Sequence, residues 1–254
     1  MDAATAAASS LGVAVERVLE PDPGRCLLFA RLDSGSDEAA AAALRAEGLS
    51  AVARPDGGAA LRAWHAATEP VTIGDRLAVR LAWTEHPTPD TAATIELGPG
   101  GFGSGHHPTT RMLLELLVDR IDGGERVLDV GCGSGILALA AACLGADRVV
   151  GVDLKPEAVD ATARNAAANG LAERVTAMVD MPVPSAGFDV VLANIAREGI
   201  VALADRLVGH TAAGGWLAVS GISPAQCDPV ADFLRPLREV DRRENGDWAA
   251  LVLA

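Results

Sequence analysis

Ten residues constrain this chain more than any others: Val127-Leu128-Asp129-Val130-Gly131-Cys132-Gly133-Ser134-Gly135-Ile136. The apolar run reads as a strand buried on both faces, the habit of parallel sheets covered by helices. Glycine at three alternate positions then makes a tight turn whose backbone can approach a ligand closely. The apolar helix that follows offers amide N–H groups at its start, where anionic groups are favoured. A strand, a glycine turn and a helix in this order belong to a doubly wound α/β sheet.

The rest of the second half keeps the same rhythm. Strands are predicted over 125–130, 148–152, 174–179, 188–193 and 216–220, separated by helices over 136–144, 156–169, 200–208 and 224–234. Gly145 and Gly170 close the first two helices. The end of the chain breaks the alternation: two strand-like runs, 239–243 and 248–253, meet through Glu244-Asn245-Gly246-Asp247. Asn-Gly between strands is a strong hairpin signal, so these two are expected to be antiparallel. A Rossmann-like sheet ending in an antiparallel hairpin is the expected fold class, the shape of class I methyltransferases.

Spacing within the glycine turn separates two ligand chemistries. The dinucleotide fingerprint G-x-G-x-x-G needs glycine at 136, where this chain has Ile136. Glycine stands instead at Gly131, Gly133 and Gly135, a form that accommodates the aminocarboxypropyl tail of S-adenosylmethionine. Asp153 ends the next strand, 22 residues after Gly131, which places a carboxylate at the ligand edge of the sheet. There it can accept hydrogen bonds from ribose hydroxyls, or cap the helix opened by Pro156. Asn194 ends the strand over 188–193 at the same edge. Its carbonyl can orient an amine nucleophile, or the residue can serve a left-handed turn.

Upstream, Phe102-Gly103-Ser104-Gly105-His106-His107-Pro108-Thr109-Thr110 runs into an apolar-periodic helix, with Pro108 suited to its first turn. Adjacent histidines rarely chelate one ion, and no ligand set at metal spacing accompanies them, so no metal is expected. His107 is either a general base or, with Thr109 and Thr110, a shaper of the loop.

Charge limits the partners. Lys and Arg number 21 against 34 Asp and Glu, a formal charge of −13. Such a field repels phosphate backbones and anionic lipid and attracts basic proteins, so neither nucleic acid nor membrane is an expected partner. Four scattered cysteines without a C-x-x-C pair suit a reducing compartment. The first ten residues lack the pattern of a signal peptide. The expectation is a cytoplasmic protein. Residues 1–58 are expected to form a small α/β domain, with strands near 13–19, 26–32 and 49–53 and a helix over 37–47. Residues 59–95 are read as a connecting segment, with strands over 76–83 and 93–97, and 96–254 as the catalytic domain.

Taken together, Phe102 to Thr110, Asp129 to Gly135, Gly151-Val152-Asp153 and Ala193-Asn194-Ile195 resemble the PrmA family, and Ser220-Gly221-Ile222 matches its strand-end pattern. That family methylates large-subunit ribosomal protein eleven. The resemblance covers about 96–254. It implies contacts to S-adenosylmethionine at Thr110, Gly131, Asp153 and Asn194, and an N-terminal recognition domain on a flexible linker. Lysine ε-amines and an N-terminal α-amine would be the acceptors. The full expected cofactor-binding set is Phe102, Thr109, Thr110, Asp129, Gly131, Gly133, Gly135, Asp153, Leu154, Asp180 and Asn194, with Asn194 and His107 at the chemistry. Ile195-Ala196-Arg197-Glu198 departs from the commoner Asn-Ile-Leu pattern on the acceptor side. Another protein lysine, or a small-molecule amine, is the alternative acceptor, and a non-catalytic binding module is the contrasting class.

Overall fold

Among the described residues, buried β-branched and leucine runs build the core of the unit Glu69–Ala254. The computed structural model describes residues 69–98 apart from 85 and 88, residues 103–182 and 187–254, position 42, and the backbone of Val15–Asp22 and Arg25–Ala30. The chain divides into two compact units, Met1–Thr68 and Glu69–Ala254. In the first, strands β1 (Val15–Asp22) and β2 (Arg25–Ala30) pair antiparallel, with Asp22 opposite Arg25. The helix expected over 37–47, the strand over 49–53 and the expected boundary near 58 lie outside the described residues.

The second unit opens with three short strands, β3 (Val71–Ile73), β4 (Leu77–Leu81) and β5 (Ala93–Leu97), which form their own sheet in that order. Helix α1 (Pro108–Arg120) follows, then strand β6 (Arg126–Val130), helix α2 (Ile136–Cys143), strand β7 (Arg148–Val152), helix α3 (Pro156–Ala168) and strand β8 (Val175–Met178). Strand β9 (Phe188–Asn194) leads through helices α4 (Arg197–Ala202) and α5 (Ala204–His210) to strand β10 (Thr211–Ile222). A short 3-10 turn over Pro224–Gln226, helix α6 (Cys227–Phe233) and strands β11 (Glu239–Asn245) and β12 (Trp248–Leu253) complete the chain.

Seven strands make one sheet in the order β11-β12-β10-β9-β6-β7-β8. Strands β8, β7, β6, β9 and β10 are parallel, while β12 runs antiparallel to both β10 and β11. The Asn-Gly hairpin thus does more than cap the sheet: its second strand slots between β10 and β11. Both faces are covered, as the continuous apolar runs require. Leu128, Val150, Val191 and Val219 pack with Ile200, Leu207 and Val230 of the last three helices. Their alternates Val127, Val149 and Leu192 are equally buried on the other face. The strand order reverses between β6 and β9, so a crevice opens at the carboxyl ends of these two strands.

Some boundaries differ from the sequence reading. The helix expected over 200–208 is two, α4 and α5, parted at Leu203 where the backbone leaves helical values at φ −104° and ψ 5°. The buried stripe Ile200, Ala204, Leu207 continues across the break, which is why periodicity alone showed one helix. Strand β10 starts at Thr211 rather than 216, with a register shift against β9 before Trp216.

Residues 71–97, most of them in the stretch read as a connector, carry the three-stranded sheet of the second unit. Side chains fix that sheet in place. The Arg76 guanidinium donates to the carbonyls of Val118 and Ile121 near the end of α1. The Asn169 amide accepts from Glu96 N–H at 2.8 Å and donates to Glu96 O at 2.7 Å, filling the place of a neighbouring strand. Among the described residues no helix is long and apolar enough to cross a membrane.

Candidate functional site

The glycine turn between β6 and α2 forms the floor of the crevice. Gly131, Gly133 and Gly135 all take positive φ, at 80°, 56° and 83°. A Cβ on Gly131 would fall 2.4 Å from Ile195 Cγ2, and one on Gly135 would fall 2.8 Å from both Leu139 Cδ1 and Thr162 Cγ2. These two positions therefore demand glycine twice over, for conformation and for space. Val152 O accepts from Gly131 N–H at 2.7 Å and Cys132 N–H at 3.0 Å, tying the turn to β7.

Two carboxylates flank the turn. Asp153, at the end of β7, accepts from Gly133 N–H at 3.1 Å through one oxygen and from Lys155 N–H at 3.0 Å through the other. The second bond goes to the N–H of Lys155, which is itself the N-cap of α3, and no side chain caps that helix, so Asp153 does not fill the capping role weighed from sequence; each oxygen keeps a lone pair for a further donor. Asp129 is only 1% exposed. Its Oδ2 accepts from Ala138 N–H at 3.2 Å, while Oδ1 has no partner among the described residues. Burial pushes its pKa up to about 7, against the pull of the Ala138 bond and with a small push from Asp153. The Cys132 thiol between them is driven up to about 12 by burial and by Asp129, which makes it a packing group rather than a nucleophile.

Asn194 closes the crevice from β9. Its Nδ2 donates to Thr110 Oγ1 at 3.1 Å. That bond leaves the Oδ1 carbonyl as an acceptor, and the left-handed turn weighed for this residue does not occur, since no described non-glycine residue has positive φ. Thr110 sits in the first turn of α1, where His107 is the N-cap and accepts from Thr109 N–H at 3.4 Å. His107 Nδ1 also lies 2.8 Å from Thr109 Oγ1, and the ring packs edge-on against Trp248 of β12 at 5.1 Å. His106 points elsewhere, 3.2 Å from Ser104 Oγ and 3.1 Å from Glu69 O.

Leu154 follows Asp153 and is 89% exposed, an apolar side chain standing free at the crevice edge of β7. Asp180 is exposed just past the end of β8, beside the strand that carries Asp153. Phe102 lies outside the described residues. Among the described residues no three His, Cys, Asp or Glu side chains gather as a metal site would need.

Sequence reasoning missed the residues that hold the turn from behind. Thr162 Oγ1 donates to Gly133 O at 3.3 Å, Asn165 Nδ2 donates to Ser134 O at 2.8 Å, and Ser134 Oγ donates to Gly103 O at 2.7 Å. The available signal was spacing: Thr162, Asn165 and Asn169 fall on one face of an otherwise alanine-rich helix.

S-adenosylmethionine suits this donor set. It carries an ammonium for a buried carboxylate oxygen lacking a partner, ribose hydroxyls for Asp153, and a carboxylate for amides at a helix start. The parallel order β8-β7-β6-β9-β10, with an antiparallel strand let in before the last, defines a class I methyltransferase fold. A family model described as ribosomal protein L11 methyltransferase (PrmA) matches residues 58–254. The chain belongs to the PrmA family.

A ribosomal protein L11 methyltransferase from Geobacter sp. (strain M21) is 42% identical over 200 residues, 74% of this chain and 64% of that protein. One from Alkalilimnicola ehrlichii is 40% identical over 253 residues, covering 93% of this chain and 86% of its own length. The crystal structure of a ribosomal protein L11 methylase from Lactobacillus delbrueckii subsp. bulgaricus superposes with a TM-score of 0.65 at 30% identity, over 73% of this chain and 98% of the other. The chain thus spans just under two thirds of the length of the Geobacter relative.

Proposed function

We propose that this chain transfers the methyl group of S-adenosylmethionine to amino groups of ribosomal protein L11, lysine ε-amines and the N-terminal α-amine, in the cytoplasm. The observation that carries the reading is the convergence of the glycine turn, Asp153 and the Asn194 amide at one sheet edge. Gly131, Gly133, Gly135, Asp129 and Asp153 would hold the donor, with Thr109, Thr110, Leu154 and Asp180 around it. When bound, the donor supplies an electrophilic methyl group on a sulfonium.

The chain's own groups then have two tasks. An acceptor lysine, with an ordinary pKa of about 10.4, is mostly protonated at neutral pH and must lose a proton before it can attack. Removing it from water in the crevice lowers that pKa, and water can carry the proton off. Asn194 Oδ1, held outward by the bond from its own Nδ2 to Thr110, accepts an N–H of the incoming amine. This aims the lone pair and stabilises the positive charge that nitrogen gains. His107, engaged with Thr109 and Trp248, supports the first turn of α1 and through it Thr110, which favours a positioning role over proton transfer.

The charge of −13 supports a basic protein acceptor over a phosphate-rich one. Residues 1–58 would recognise that protein while 96–254 carry the chemistry. Intact-mass analysis of L11 incubated with this chain and S-adenosylmethionine tests the reading. Mass gained in multiples of one methyl group, on lysines and the N-terminus, is the expected result. Donor binding without any gain on L11 would move the acceptor to another protein or a small amine.

A further inference from the structure

We infer that Ser134 and Asn165 are positioning residues for the donor-binding turn, which they tie to the end of β5 and to the segment ahead of α1. The inference rests on the donor-binding reading above. Asn165, on α3, uses both ends of its buried amide: Oδ1 accepts from Gly98 N–H at 2.8 Å and Nδ2 donates to Ser134 O at 2.8 Å. Ser134, also buried, continues the line, its hydroxyl donating to Gly103 O at 2.7 Å. Gly98, Asn165, Ser134 and Gly103 are thus linked by three hydrogen bonds that belong to no helix or sheet ladder.

The backbone is shaped to allow it. A Cβ on Gly98 would lie 3.0 Å from Asn165 Oδ1, and one on Gly103 would lie 3.3 Å from Ser134 Oγ and 3.2 Å from Ile136 Cγ2. Gly103 has φ +104° as well. Both glycines therefore sit where the main chain must come up against these two side chains.

The consequence falls on the turn itself. Asn165 fixes the Ser134 carbonyl, and the Thr162 hydroxyl reaches Gly133 O and Cys132 Sγ at 3.3 Å each, so α3 holds two successive peptide planes of the turn. With the Gly133–Ser134 plane fixed, the Ser134 N–H has a fixed direction, and it has no acceptor among the described residues. The turn is thereby held ready for an anionic group, with little ordering left for the ligand to impose.

Donor affinity measured by calorimetry, with donor KM, kcat on L11 and melting temperature, tests this on S134A, N165D, their double variant and N169A. N165D keeps the shape and the acceptor for Gly98 but loses the bond to Ser134. S134A loses the bond to Gly103. Each single change is expected to weaken donor binding about tenfold, the scale of one lost buried hydrogen bond. KM for the donor should rise by the same factor, with kcat within about twofold. The double variant should lose little more than the worse single, since both cut the same linkage. N169A, which releases Glu96 and the side-chain bond to Asn165 O but leaves both side-chain bonds of Asn165 in place, should lower the melting temperature and leave donor affinity unchanged. A multiplicative loss in the double variant, or N169A weakening the donor as much as S134A does, overturns the inference. Unchanged single variants beside a wild type that binds donor overturn it alone. A wild type that binds no donor removes the functional reading beneath it too.

Discussion

Asp129 and Gly131, two residues apart, meet opposite constraints. Burial opposes the charge of Asp129, and its pKa in the fold rises to about 7. In the unfolded chain an aspartate titrates near pH 3.9. Below that value both states hold the proton and nothing is lost; as pH rises the unfolded state releases it first, so stability falls between about pH 4 and 7 and then levels. At about 1.4 kcal/mol per unit the ceiling is ~4 kcal/mol. Asp129→Asn should flatten this decline in ligand-free melting curves recorded from pH 4 to 8; an equally steep decline in the variant would show that other groups cause it. At Gly131 the constraint is space. Gly131→Ala should lower donor affinity at least about tenfold, through positive φ and the contact with Ile195. Adding Ile195→Ala should recover part of that loss in calorimetry, since it removes the clashing Cγ2. The glycines and Asp153 were legible in the sequence because spacing alone singles them out. Thr162 and Asn165 were not, because a polar residue on an alanine-rich helix looks solvent-facing until the turn behind it is known, and the spacing of the turn gives the Ser134 hydroxyl no partner.

Among the elements, the alternation of strands and helices and the final hairpin could be read directly, since buried parallel strands are continuous apolar runs and Asn-Gly has few alternatives. The slot taken by β12 could not, because nothing in a hairpin says which of its strands joins the sheet. The break at Leu203 was hidden by a buried stripe that runs through it. One strand pair carries a testable clamp. Arg126 on β6 meets Asp189 on β9 through its guanidinium at 2.9 and 3.1 Å, and its backbone N–H adds a third bond at 2.9 Å. Hydrogen bonding to Arg126 holds the Asp189 carboxyl below its ordinary range. That stabilisation is present above the usual aspartate pKa and fades as pH falls through the lowered one. Both side chains are about 40% exposed, so solvent discounts the pair to under about 1 kcal/mol. Asp189→Asn should cost no more than that in urea unfolding at pH 7, and progressively less as pH falls below the usual aspartate range; a loss of several kcal/mol would mean that the clamp sets the register of the parallel sheet.

At the scale of the whole chain, charge acts on the two ligands differently. On the proposed reading the donor would enter a crevice lined by the fixed amides of the glycine turn and by Asp129 and Asp153, where close contacts are little affected by salt. A basic protein acceptor would instead approach through the long-range field of a chain carrying −13, and that field is screened over about 10 Å at 0.1 M salt. Steering of this kind acts on encounter rates more than on the chemical step. Raising ionic strength from about 0.05 to about 0.3 M should therefore lower kcat/KM for L11 severalfold while kcat at saturating L11 and donor affinity stay within about twofold. A short lysine peptide carrying little net charge should show no such dependence. Salt-insensitive kcat/KM on L11 would mean that recognition rests on buried contacts rather than on the acidic field, and would separate the composition of this chain from its choice of substrate.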